Sequence, residues 1–170
     1  MTHSVAALAA VALAACGGSE TTGMAPASRD PRPVPAPDAA ARCPVTRPRA
    51  KVPASSEGFN YGNRSLAVAL WPNGKLIAGR LPGGGRYAAI RPDGSIVAKL
   101  GWWRAVERPL SIEGVRLDAN SPPVRADVPT GYGPSGFQAT ELTFPIQGCW
   151  KVIGSVGRAR LTFVVLIRKR

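Results

Sequence analysis

The stretch CWKVIGSVGRARLTFVVLI, residues 149–167, decides the fold. In its first half Trp150 and Val152 share one side, with Lys151 between them. Side chains two apart in a strand point to the same face, so this half reads as a strand with one buried side. In its second half, LTFVVLI (161–167) is almost wholly apolar, as in a central strand covered on both faces. Two strands of this kind need a partner sheet to bury them.

The rest of the chain from Phe59 supplies that partner. LAVALW (66–71), KLIA (75–78), RYAAI (86–90), SIVAKLGWW (95–103), LSIEGVRL (110–117), VRADV (124–128) and GFQATELTF (136–144) all read as short strands. Pro72-Asn73-Gly74 and Pro92-Asp93-Gly94 separate two similar units 20 residues apart. Proline presets one turn position, and Asn-Gly or Asp-Gly accepts positive φ, so both are expected to turn hairpins. No helical period follows residue 58. The expected fold is all-β: an immunoglobulin-like antiparallel β-sandwich of seven or eight strands, with a small closed barrel as the alternative.

The other end of the chain has a different character. MTHSVAALAAVALAA (1–15) is small or apolar from Ser4 onward and stops at Cys16. It is too short for a permanent membrane span and suits a secretory signal. Residues 17–58 are rich in Pro, Ala, Ser and Thr. They contain almost no large apolar side chains to offset their ordering entropy, so they are expected to form a disordered tether. The expected organisation is a signal peptide over 1–15, a Pro/Ala-rich tether over 16–42 and a β-sandwich over 43–170, with the arm around Cys43 strapped onto it.

Two resemblances follow. Leu13-Ala14-Ala15-Cys16, followed by Gly17-Gly18, resembles the lipobox of bacterial lipoproteins. It implies cleavage before Cys16, lipid on Cys16, and export to a bacterial membrane with the domain facing the periplasm or exterior. The set YGN (61–63), WWR (102–104), RLD (116–118), GYG (131–133) and GCW (148–150) resembles a family of secreted bacterial immunoglobulin-like lipoproteins. That family has no assigned activity, so it transfers no functional residues.

Composition removes several chemistries. The only histidine is His3, inside the leader, so the mature chain has no Ser-His or Cys-His triad and lacks the residue most zinc and copper sites need. No cofactor and no metal are expected; Asp118-Ala119-Asn120-Ser121 is the nearest match to a calcium loop. Gly131-Tyr132-Gly133-Pro134-Ser135-Gly136 has the spacing of a nucleotide-binding loop, but Pro134 lies inside it and a strand follows, so it reads as a plain loop. The net charge is +12. Its Lys and Arg residues are scattered singly apart from Arg168-Lys169-Arg170, which argues against nucleic acid and leaves anionic envelope polymers as partners.

With Cys16 taken by lipid, Cys43 and Cys149 remain, and an exported domain with two cysteines pairs them. Trp150 and Val152 look inward, so Cys149 faces out of the core. The candidate binding residues are Trp102, Trp103 and Arg104, since strand alternation sends one Trp into the core and the other outside. The functional expectation is a non-catalytic binding or structural module of the cell envelope, meeting a polymer or a protein partner. The alternative is a His-independent hydrolase of an envelope glycan, using two of Glu107, Glu113, Asp118, Asp127 and Glu141.

Overall fold

From Tyr61 onward short runs of alternating apolar and polar residues resolve into two stacked sheets. The computed structural model describes residues 43–49, 52, 58–79 and 88–170. The expected leader 1–15, Cys16 and the tether 16–42 lie outside the described residues. Ten strands form: β1 (Tyr61–Gly62), β2 (Leu66–Val68), β3 (Lys75–Ala78), β4 (Ala88–Ile90), β5 (Ile96–Arg104), β6 (Leu110–Arg116), β7 (Arg125–Asp127), β8 (Gly136–Phe144), β9 (Gly148–Val156) and β10 (Ala159–Lys169). One sheet runs β1-β2-β5-β8-β7, with β4 also paired to β5; the other runs β3-β10-β9-β6. The fold is an all-β sandwich, not a closed barrel. It has ten strands among the described residues, where seven or eight were expected. Nine of them, β2 to β10, match the segments read as strands, so the expected number undercounted those segments; the tenth, β1, is two residues long and has no period to read.

The two turns behave differently. Asp93-Gly94 turns a hairpin, with β4 and β5 paired antiparallel through Ile90 and Ile96. Gly94 has φ +82°, and the Ser95 N–H donates to Asp93 Oδ1 at 2.9 Å. Pro72-Asn73-Gly74 does not turn a hairpin. It is a 3-10 turn that carries the chain from β2 in one sheet to β3 in the other. Leu70 and Trp71 are both buried, which a regular strand with one covered face does not allow. The side chain of Asn60 takes the place of a partner strand at Leu70. Its Oδ1 accepts from the Leu70 N–H at 2.7 Å and its Nδ2 donates to the Leu70 carbonyl at 2.9 Å. The chain thus leaves its sheet before the turn begins. As a result β3 pairs with β10 in parallel, from Lys75 opposite Leu166 to Ala78 opposite Lys169, and not with β2.

The inner faces follow the period-two pattern. Ile96, Ala98, Leu100 and Trp102 of β5 meet Trp150, Val152 and Val156 of β9 and Phe163, Val165 and Ile167 of β10. β10 is interior, between β3 and β9, as its apolar run implies. Phe144 and Trp150 meet edge to face at 5.6 Å between ring centroids, a geometry aromatic rings favour.

The arm at residues 43–49 is part of the domain. Cys43 and Cys149 form a disulfide with Cα atoms 5.5 Å apart. Beyond it, the Thr46 N–H donates to the Val164 carbonyl at 2.8 Å, and the Val164 N–H donates to Thr46 Oγ1 at 2.9 Å. These bonds cover the stretch of β10 edge just before β3 begins, which would otherwise present unpaired backbone. Cys149 does face away from the core, as alternation requires, but the arm leaves it only 1% exposed.

Candidate functional site

The register of β5 and β8 defines two ends of the sandwich. At one end Ile96 pairs with Phe144; at the other Arg104 pairs with Gly136. The chain turns from β8 into β9 at the first end, so Cys149 and its disulfide sit there. At the second end the inner face turns polar. Arg104 follows Trp102 on the same face and is 5% exposed; Gln138 lies opposite Trp102 and is 6% exposed.

These two side chains lie along a groove of about 430 Å³. Its walls come from two connections, residues 105–109 between β5 and β6, and 128–135 between β7 and β8. Leu110, Val128, Pro129 and Pro134 give it an apolar lining, and Tyr132, Glu107 and Arg108 stand at its exposed rim. Arg104 holds the loops in place. Its Nη1 donates to the carbonyls of Arg108 at 3.1 Å and Pro134 at 3.3 Å, and its Nη2 donates to the Gly133 carbonyl at 2.6 Å. Gln138 Nε2 donates to the Pro129 carbonyl at 3.0 Å. Among the described residues no carboxylate pairs with Arg104. A buried cation ordinarily needs both hydrogen bonds and a counter-charge; this one has the former alone. Arg104 Nε and Gln138 Oε1 are buried without a hydrogen-bond partner.

The expected binding residues divide. Trp102 is a correction: it is 0% exposed, its Nε1 donates to Thr140 Oγ1 at 3.1 Å, and no ligand can reach it. Its position on the inner face places it between the sheets. Trp103 is on the outer face, as alternation demands, but Phe59 and Val52 pack over it, with Phe59 at 6.0 Å between ring centroids. The N-terminal approach to the domain therefore covers it. Arg104, expected beside an exposed indole, instead faces inward at the groove. The aromatic residue at the groove is Tyr132, stacked edge-on against the half-exposed Phe137 at 5.9 Å.

The acids do not converge on the groove. Arg116 Nε holds Asp118 Oδ1 at 2.6 Å, beside Gly148 and Cys149. Burial pushes the Asp118 carboxyl up, but the Arg116 hydrogen bond, the Cys149 backbone N–H and the Arg116 charge together outweigh it and hold the carboxyl below its ordinary value. The Asp118–Ser121 segment is thus explained by an ion pair, and no cluster of metal-ligating residues occurs among the described residues. Asp127 and Glu141 are register partners on the open face of the six-stranded sheet, where Arg91 pairs with Glu141 at 2.9 Å. Glu113 is exposed on β6. Among the described residues Glu107 is the one acid at the groove.

Sequence reasoning missed Gln138 and the inward aim of Arg104. The signal was present. Counting by twos from Trp102 reaches Arg104, and counting back by twos from Phe144 reaches Gln138, so the same alternation that marks the core also marks its polar end. The loop Gly131–Pro134 was rightly read as a loop, but its role as a groove wall depends on contacts that the sequence does not display. No family model, no curated protein and no solved structure matches this chain.

Proposed function

We propose that this chain is an exported, non-catalytic binding module of the bacterial cell envelope, anchored through lipid on Cys16. The observation that carries the reading is the position of the groove relative to the disulfide. The Cys43–Cys149 bond fixes the N-terminal arm at the Ile96–Phe144 end of the sandwich, and the groove opens at the Arg104–Gly136 end. A tether entering at Cys43 would hold the domain by one end and leave the groove at the other. The disulfide itself suits an oxidising, extracytoplasmic compartment. The lipobox-like Leu13–Cys16 supplies the anchor in this reading, since more than one acyl chain makes attachment stable.

A binding role is favoured over hydrolysis by the make-up of the groove. Hydrolysis by paired carboxylates needs two acids across one cleft. Among the described residues Glu107 is the one acid lining the groove, which Arg104 and Arg108 also line.

Two measurements test the reading. Fractionation of cells producing the full chain should place it in the membrane fraction, and Cys16→Ala should release it with its fold intact. Retention of the Cys16→Ala protein would sink the anchor. A pull-down with the full chain against its own envelope fraction should retain a polymer or protein, and blocking the groove should release it. No retained partner would sink the binding role.

A further inference from the structure

Exposed aliphatic side chains gather at the end of the sandwich where the N-terminal arm enters. Six large apolar residues are exposed among the described residues. Two of them, Tyr132 and Phe137, stand at the groove end. The other four surround the disulfide. Ile77 is 65% exposed and sits opposite Arg168 on the outer face of the four-stranded sheet. Val115 lies opposite Lys151 on that face, and the Leu117 N–H donates to the Cys149 carbonyl. Ile146 is in the turn that leads into β9. Cations stand among these side chains. One row across the strands runs Lys75, Leu166, Cys149, Leu117; its middle two are buried, and Lys75 and Leu117 are exposed on either side. Arg168 opens the run Arg168-Lys169-Arg170 at the end of β10. Among the described residues no carboxylate pairs with any of these cations. The nearby acids are Glu113, two residues before Val115, and Asp118, which Arg116 already holds.

Protection of the β3 edge accounts for an exposed lysine. It does not account for Ile77 beside Arg168, or for Leu117 and Val115 across the sheet. Exposed apolar side chains grouped with polar ones mark a contact surface. Aliphatics interleaved with Lys and Arg suit an anionic bilayer, where the cations meet headgroups and the aliphatics enter the interface. The place where the chain enters the domain favours the same occupant. Cys43 is bonded to Cys149 in the middle of this surface. The segment from Cys16 to Cys43 spans at most roughly 90 Å even when fully extended. With lipid on Cys16, the domain stays within that distance of a bilayer, and this surface is the part tied to it. A free anionic polymer has no such link.

We propose that the outer face of the four-stranded sheet around Cys149 docks on an anionic lipid bilayer. Lys75, Lys151 and Arg168 meet the headgroups, and Ile77, Val115 and Leu117 enter the interface beside them. The groove, at the other end of the sandwich, stays uncovered. This goes beyond the binding reading above and rests on its placement of the chain at a membrane. The contact is weak and screened by salt, so the release of the Cys16→Ala protein expected above holds for membranes washed in salt.

The test is lysine acylation of the full chain mixed with excess vesicles, read residue by residue by mass spectrometry. One set of vesicles is phosphatidylcholine; the other is phosphatidylcholine with an equal amount of phosphatidylglycerol. The apolar leader enters both alike, so the difference between them reports the charged face. Lys99, exposed on the outer face of the other sheet, is the internal control. Lys75 and Lys151 should label at least about fivefold more slowly on the anionic vesicles, and Lys99 should change less than about twofold. Salt at about 0.5 M should remove the protection. Arg168→Gln with Ile77→Ser should restore labelling at Lys75. Arg158→Gln with Arg160→Gln, exposed in and beside the β9–β10 turn at the groove end, should not. No protection of Lys75 on anionic vesicles, protection of Lys99 to the same degree, equal protection on neutral vesicles, or equal effects of the two double variants overturns the assignment. The comparison of Lys75 with Lys99 uses the unaltered chain, so it decides the question even where a variant fails to fold. Absence of protection with release of the Cys16→Ala protein still observed would remove the docking face and leave the lipid anchor standing.

Discussion

The ring of Trp102 occupies the space a side chain at Gly154 would need. A Cβ built on Gly154 would collide with Trp102 Cζ3 and Cη2. The largest residue in the core thus faces the smallest on the opposite sheet, and the two sheets reach their spacing at this level by that exchange. Gly154 lies in the middle of β9, where glycine is otherwise unfavourable.

Gly154→Ala should therefore cost about 1–3 kcal/mol by overpacking, since the contact is with a rigid ring enclosed on all sides. Alanine has the better strand propensity, so propensity alone predicts the opposite sign. Urea unfolding of the variant distinguishes the two. An unchanged or raised midpoint would show that the indole can shift without cost.

Breaking the disulfide should cost about as much as truncating a large core side chain. The bond joins residues 106 apart in sequence, and in the chain-entropy account such a closure contributes about 4–5 kcal/mol. Cys43→Ser with Cys149→Ser should lose that amount in urea unfolding and should expose the β10 edge near Val164. Faster amide exchange at Val164 in the double variant is the local readout.

The pH dependence should reflect Asp118. Its carboxyl is held below the ordinary value by Arg116 and the Cys149 N–H, against the opposing effect of burial. A group whose folded value is depressed contributes stability that is fully present above its unfolded value, about 3.9, and is lost as pH falls through the folded one. Thermal unfolding should therefore weaken below about pH 4. Asp118→Asn should be less stable at pH 7 and flatter through the acid window. Parallel pH curves for the two proteins would show that the pair carries no linkage.

Asn60→Ala should expose the dependence of the sheet-to-sheet crossing on one side chain. It would leave both the N–H and the carbonyl of the buried Leu70 without their partners at 2.7 and 2.9 Å. The expected loss is about 2–4 kcal/mol for two unsatisfied buried groups. Thermal unfolding measures it; a loss below about 0.5 kcal/mol would mean that water replaces the amide.

Long strands were legible where alternation ran for five residues or more. β8 was read residue for residue as Gly136–Phe144, and β5, β6, β9 and β10 within one or two residues of their ends. The same period located the core partner in the Trp102–Trp103 pair in principle, but not which of the two it was. Turn chemistry misled at Pro72-Asn73-Gly74, because a proline-glycine turn specifies a local reversal and says nothing about which sheet receives the chain. The groove was illegible because its walls are loops, and loop residues carry no periodic signal to place them in space.

The sequence by itself determined the class of the fold, the near-absence of histidine chemistry and the face that each strand residue takes. These depend on local rules, a period of two and the presence or absence of a side chain, and need no long-range contact. Only the tertiary structure decided that β3 joins β10, some 90 residues away by the pairing of Lys75 with Leu166, and that Phe59 covers Trp103. It also decided that Arg104 and Gln138 share one groove at the end remote from Cys149. Those outcomes depend on which buried backbone groups find partners and which apolar surfaces meet, and that is settled between segments far apart in the chain.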